Sequence, residues 1–238
     1  MISEATVIAV AAALYLVDCV VLLERGQAVL EAMWSRIGIA FGSRHYQIGG
    51  KAVALLNPLT PFFPVFRTLP LFARPGGSNA KISKFLRALS PVSTPPLLQF
   101  LLLFFVLPFC LYRAPGWPFF IALVLAYLNA VAMLGFIWWR LRGAGICARP
   151  LAGLGFAWLA CLPLSVNAMR KAGLALGIAM DARQAIRLLP ASEKDRARSD
   201  LAAQLAEALE ETDEGDANYR RLDELRRQLI LETGRGGT

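Results

Sequence analysis

Between Leu97 and Tyr112, and again between Trp117 and Trp139, the sequence carries no charged residue. Apolar residues that come as uncharged blocks, not as one-sided stripes, need burial on every face of a helix. A lipid solvent provides that burial. Two further blocks have the same character. Ala5 to Leu23 is nineteen residues with Asp18 as its only charge, and Leu151 to Met169 is nineteen residues with none. Nineteen helical residues reach roughly 28 Å, close to the ~30 Å of a hydrocarbon core. The bulk composition agrees: 56% of residues are hydrophobic and 18% charged, against about 25% charged in soluble domains. Met1-Ile2-Ser3-Glu4 lacks the basic lead of a secretory signal, and Asp18 stands before Cys19 where a lipoprotein signal needs a small residue. The first block is therefore expected to be retained.

The sequence thus predicts an all-α, polytopic helical membrane protein with four spans, or three if the last block is re-entrant. The first span occupies residues 1–23. The membrane region 97–169 holds the others, at 97–112, 117–139 and 151–169. Ala5, Ala9 and Ala13 recur at the same four-residue spacing as Ala122, Ala126 and Ala130. Such small-residue stripes let helices approach closely, which makes the first and third spans expected neighbours.

Residues 24–96 form a basic connection. Gly26 to Trp34 reads as an interfacial helix. Ile37 to Leu56 reads as short β-compatible runs parted by glycines, giving one or two small hairpins inserted between spans 1 and 2. Gly49-Gly50 supplies the positive φ of a turn. Three prolines between Pro58 and Pro64 exclude a span there. Pro75 to Asn79 is a loop and Lys81 to Leu89 a short basic helix. The polar tail, 170–238, carries one leucine stripe at Leu201, Leu205 and Leu209 and a second at Leu222, Leu225 and Leu229. Ser192-x-x-Asp195 opens the first, and Asp213 to Asp216 separates the two, so the tail reads as an αα-hairpin.

Charge is distributed unevenly. Glu24 to Pro150 has 13 Lys/Arg against 2 acids, a net of +11, whereas Arg170 to Thr238 has a net of −1. The positive excess lies in the connections between spans, where it marks topology and a lipid-facing surface; nucleic acid is not needed to explain it. With four spans, the connections 24–96 and 140–150 are cytoplasmic and both termini lie outside. With a re-entrant last block, the tail is cytoplasmic and every basic residue but Arg113 is inside.

Few residues offer chemistry. Four cysteines stand singly and His45 is the only histidine, which excludes bis-histidine haem and multi-histidine zinc from this chain. Gly49-Gly50-Lys51 ends like a phosphate-binding loop but lacks its upstream glycine and following hydroxyl. No cofactor, metal or catalytic group is expected. Asp18, Asn129 and Asn167 are polar groups at membrane depth and so are candidate functional residues. For Asp18 the plainer reading is an ion pair with Arg25 that sets helix depth; for the two asparagines it is interhelical hydrogen bonding. Arg67, Arg74, Lys81, Lys84 and Arg87, with phenylalanines nearby, form a candidate surface for anionic lipid.

These features predict an accessory, scaffold or assembly subunit of a bacterial inner-membrane complex, partnered by the bilayer and by another membrane protein or its own copies. A transport or channel subunit using Asp18, Asn129 and Asn167 is the first alternative, and a lipid-acting enzyme with residues in 37–56 the second. A synthetic peptide covering Arg67 to Arg87 should bind anionic vesicles and release them as salt is raised. Changing Lys81, Lys84 and Arg87 to Gln should remove most of that affinity; equal binding to neutral vesicles would refute the electrostatic contact.

Overall fold

The computed structural model describes residues 4–24, 26–33, 36–70, 94–113, 116–146, 151–176, 180–210, 219–220 and 222–228. They divide into two compact units, the first made of residues 1–21, 55–66 and 80–176 and the second of 22–54, 67–79 and 177–238.

In the first unit, α1 (Glu4–Asp18) is followed by α2 (Thr94–Arg113) and α3 (Trp117–Gly143). The pair α2 and α3 forms a hairpin. Gly116 turns into α3 at φ 109°, and Pro118 occupies its first turn, where no backbone donor is needed. At the other end, Gly145 at φ 70° stops the helix, while the Ile146 and Gly145 amides donate to the Leu141 and Arg142 carbonyls. Within α2 the residues Leu102–Val106 widen into a π-turn, with the Leu107 amide donating to the Leu102 carbonyl. Pro108 explains it: the ring has no amide to donate and needs room from the carbonyl four residues back.

Ala122, Ala126, Ala130, Met133, Ile137 and Leu141 form the buried stripe of α3. Ala126 and Ala130 pack with Leu102 of α2 and with Leu162. Ala5, Ala9 and Ala13 of α1 are exposed, so the packing expected between the two alanine stripes is not made. Tyr15 of α1 instead lies against Phe104 and Phe100 of α2, at ring separations of 5.0 and 6.0 Å.

The four-span, all-α expectation is overturned. Only α2 and α3 are long and apolar enough to cross a membrane among the described residues, and two small antiparallel sheets accompany the helices. The three-span variant fails with it. The first block is divided at Asp18: α1 is 15 residues, about 22 Å, and Val20–Leu23 is strand β1. The fourth block is three helices: α4 (Leu151–Ala160), α5 (Leu162–Ser165) and α6 (Ala168–Leu176). Pro163 forbids a continuous helix, so Cys161 turns extended at φ −139°, ψ 92°. The longest piece, 10 residues, reaches only about 15 Å. An absence of charge permits a span; an unbroken helix is what makes one.

The second unit holds strands β2 (Ala28–Met33), β3 (Arg36–Phe41), β4 (Ser43–Ile48) and β5 (Lys51–Leu55). With β1 and β6 (Val65–Arg67) they form sheets ordered β1-β5-β4 and β3-β2-β6. Strand β2 replaces the interfacial helix expected over Gly26–Trp34; its register with β3 runs from Ala28↔Phe41 to Met33↔Arg36. Gly49 and Gly50 take φ 58° and 75°, the two-residue turn that their sequence predicts. Gly42, between β3 and β4, has no room for a side chain: a Cβ there would stand 2.5 Å from that of Ala52.

Helices α7 (Ala182–Arg187) and α8 (Ala191–Glu210) complete this unit, with residues 222–228 also helical. The α8 helix begins one residue before Ser192, after Pro190, so Ser192 is inside its first turn. Leu201, Leu205 and Leu209 share one core with Leu222 and Leu225, and Ile37, Ile39 and Phe41 of β3 pack onto it. The two leucine stripes thus meet, with a strand beside them. Lys81 to Leu89, Pro75 to Asn79, Asp213 to Asp216 and Leu229 lie outside the described residues.

Glycines in the first unit give a test. A Cβ on Gly173 would stand 2.1 Å from the Val65 carbonyl oxygen, whereas one on Gly153 meets nothing within 4 Å. Gly173→Ala should destabilise the detergent-purified protein by about 2–3 kcal/mol. Gly153→Ala should be neutral or stabilise it by up to ~1 kcal/mol. Thermal melting compares them; equal melting temperatures would contradict this packing.

Candidate functional site

The break between α4 and α6 gathers most of the first unit's buried polar groups. After Ser165 the chain turns through Val166 and Asn167 and restarts as α6, which puts Asn167, Arg170 and Lys171 on consecutive turns. Asn167 is fully buried and Arg170 is 1% exposed. Asn167 uses its amide in both directions. Its Nδ2 donates to Asp18 Oδ2 at 3.1 Å and approaches Cys19 Sγ at 3.5 Å, while its Oδ1 accepts from Arg170 Nη1 at 3.2 Å.

Arg170 faces mainly neutral acceptors. Its Nη2 donates to the Asn57 carbonyl, to the Thr60 carbonyl at 2.8 Å and to Thr60 Oγ1 at 3.1 Å. Its Nη1 also lies 3.6 Å from Cys19 Sγ. The loop it grips is Asn57-Pro58-Leu59-Thr60-Pro61, a turn in which the Thr60 amide and hydroxyl each donate to the Asn57 carbonyl at 3.2 Å and the Phe63 amide to the Thr60 carbonyl at 3.4 Å; the guanidinium adds a further donor to each carbonyl. Tyr15 secures the same loop by donating its hydroxyl to the Pro58 carbonyl. Burial, and then the neighbouring Cys19, push the Tyr15 phenol above its ordinary pKa, which keeps it a donor.

Asp18 closes the cluster. Its Oδ1 lies 2.5 Å from Lys171 Nζ, and its side chain is 6% exposed against 34% for the lysine. The aspartate is ion-paired with Lys171, 153 residues along the chain; Arg25, the partner expected from the sequence, lies outside the described residues. Asn129 does not join this group. From α3 it donates to the Pro95 carbonyl at 3.0 Å and to Gln99 Oε1 at 2.8 Å, tying α3 to α2.

Of the three polar candidates Asp18, Asn129 and Asn167, the structure therefore brings Asp18 and Asn167 together and leaves Asn129 apart. Arg170, Lys171, Cys19, Thr60 and Gln99 were not among the sequence candidates. Arg170-Lys171 had a signal, but charge directly after an apolar block reads as a span boundary. In the candidate lipid surface, Arg67 ends β6 half-buried, with its Nε buried and lacking a hydrogen-bond partner; Arg74, Lys81, Lys84 and Arg87 lie outside the described residues. His45 is in β4, and its side chain is not among those described.

Chemically the cluster is a clasp. It ties α1, the 57–61 loop and α6 together, the Cys19 thiol is sealed at 0% exposure, and no three metal-ligating side chains converge among the described residues. Arg170→Met would remove one donor from each of two loop carbonyls and from Asn167 Oδ1, and the protein should lose about 3 kcal/mol of stability. Asp18→Asn should cost only ~1 kcal/mol, because the partly exposed Lys171 can turn to water. Denaturant titration in detergent checks the order; an Asp18→Asn loss as large as that of Arg170→Met would reverse the roles assigned here. Comparison with protein-family models, with curated proteins and with solved structures finds no match to this chain.

Proposed function

We propose that this protein is an accessory or assembly subunit of a membrane complex, anchored in a bacterial-type inner membrane by the α2–α3 hairpin. The observation that carries this reading is the exposure of that hairpin. Only 22% of the most apolar window of α2 and 28% of that of α3 are buried within the chain. The core helix of a water-soluble protein is mostly buried, so these faces need a lipid or protein covering. The 20 residues of α2 reach about 30 Å, and Trp117 stands about 32 Å along α3 from Trp138-Trp139, matching the two interfaces of a bilayer. Arg142 stacks on Trp138 at 5.2 Å, holding a cation at that end.

Two spans also remove the conflict in the charge pattern. Both ends of the hairpin then face the cytoplasm, and every basic residue except Arg113 lies inside. One observation favours transport as a second reading: Asp18 and Asn167 meet at an interrupted helix, the kind of place where secondary transporters bind substrate. A transport role requires Asp18→Asn to abolish function at unchanged protein level and oligomeric state.

Topology tests the anchor. The protein should remain with membranes through alkaline carbonate extraction. Alkaline phosphatase inserted between Arg113 and Trp117 should be active, and fused at Thr238 inactive, with a fluorescent protein at Thr238 bright. Phosphatase activity at Thr238, or release into the soluble fraction, would overturn the two-span hairpin.

A further inference from the structure

Four consecutive residues, Ile39 to Gly42, line a cavity of about 540 Å³ whose opposite wall is α8. Side chains alternate across a strand, so four in succession border a cavity only where the backbone edge faces it. Strand β3 is the outer strand of its sheet, and among the described residues no strand pairs with that edge. The α8 wall presents Glu193, Arg196, Asp200 and Gln204, spaced by three and four along one face. A smaller cavity continues from the same Gly42 and Gln204 to Glu207 and Glu24. Together they make one cleft between a strand edge and a helix, wholly within the second unit.

The cleft is acidic in a chain of net charge +8. Four carboxylates line it against one guanidinium, Arg196; Glu24 is bridged outward to Lys51 at 3.6 Å. Where the cavities join, Gln204 Oε1 is buried and receives no hydrogen bond. A strand edge offers alternating amides and carbonyls, and the remaining lining is rich in acceptors. A ligand that fits must be extended, must carry its own main-chain donors and acceptors, and must bring positive charge.

We propose that this cleft binds an extended, basic segment of a partner polypeptide, laid beside β3 as an added strand with Lys or Arg side chains against Glu193, Asp200 and Glu207. Main-chain bonds to β3 hold the segment, and the carboxylates select its charge. The bordering residues span about 13 Å of strand, enough for four residues of ligand. The proposal deepens the assembly-subunit reading and rests on it.

The test uses the full chain in nanodiscs of neutral lipid and a fluorescent (Lys-Val)₄ peptide followed by anisotropy. Saturable binding is expected, with (Glu-Val)₄ failing to bind. A triple variant, Glu193→Gln, Asp200→Asn and Glu207→Gln, should weaken binding at least tenfold. Peptides N-methylated at every second residue, in both registers, should bind at least tenfold more weakly; undiminished binding of both would overturn the added strand. Displacement by spermine at the concentration of the peptide itself would reassign the cleft to small polycations. No binding to protein that has entered nanodiscs overturns the cleft proposal alone, whereas failure to enter them overturns the membrane anchor.

Discussion

An arginine guanidinium cannot discard its charge to suit an apolar surrounding, so burying Arg170 obliges the chain around it to supply acceptors. That obligation organises the first unit. The proline-bearing loop at 57–61 turns its carbonyls inward, Asn167 at the start of α6 offers its side-chain oxygen, and α1 stops at Asp18 instead of continuing. Each is unfavourable alone. A proline-bearing loop, an interrupted helix and a carboxylate at a helix end are compatible because they share one set of hydrogen bonds.

The polarity is thereby inverted relative to a soluble domain. Charge and amide groups occupy the centre of the first unit, and leucine, phenylalanine and tryptophan face outward along α2 and α3. Such an arrangement is stable where the surroundings are apolar. The second unit follows the ordinary rule: leucines of α8 and isoleucines of β3 turn inward, and acids and arginines turn outward. The two units therefore differ in where they place their apolar residues.

Much of this was legible in residue patterns, for identifiable reasons. The α2–α3 hairpin declares itself because helices with most of their apolar surface uncovered by the chain show as length without charge, with no periodicity needed. The β3–β5 region declares itself through glycines at 42, 49 and 50. Strand β2 does not, since Ala28 to Met33 is made of good helix formers and pairing with β3 overrides that propensity. Strand β1 was hidden by apolar residues continuous with α1. The clasp was half legible: Asp18 and Asn167 stand out as costly polar groups, but their meeting depends on a fold that no local pattern encodes. Arg170 was masked by its neighbour Lys171, since two cations after an apolar block look like a boundary even when one is buried.

The clasp also has a timetable. Its contacts join residues 149 and 113 positions apart. At ~5–20 residues per second, Asn167 is synthesised roughly 7–30 s after Asp18. During that interval α1 and the proline loop exist without the groups that neutralise and fasten them, while the helical hairpin between is made and stowed. Closing the clasp is therefore a late event of biogenesis. A nascent chain halted before residue 167 would hold Asp18 without its amide and ammonium partners.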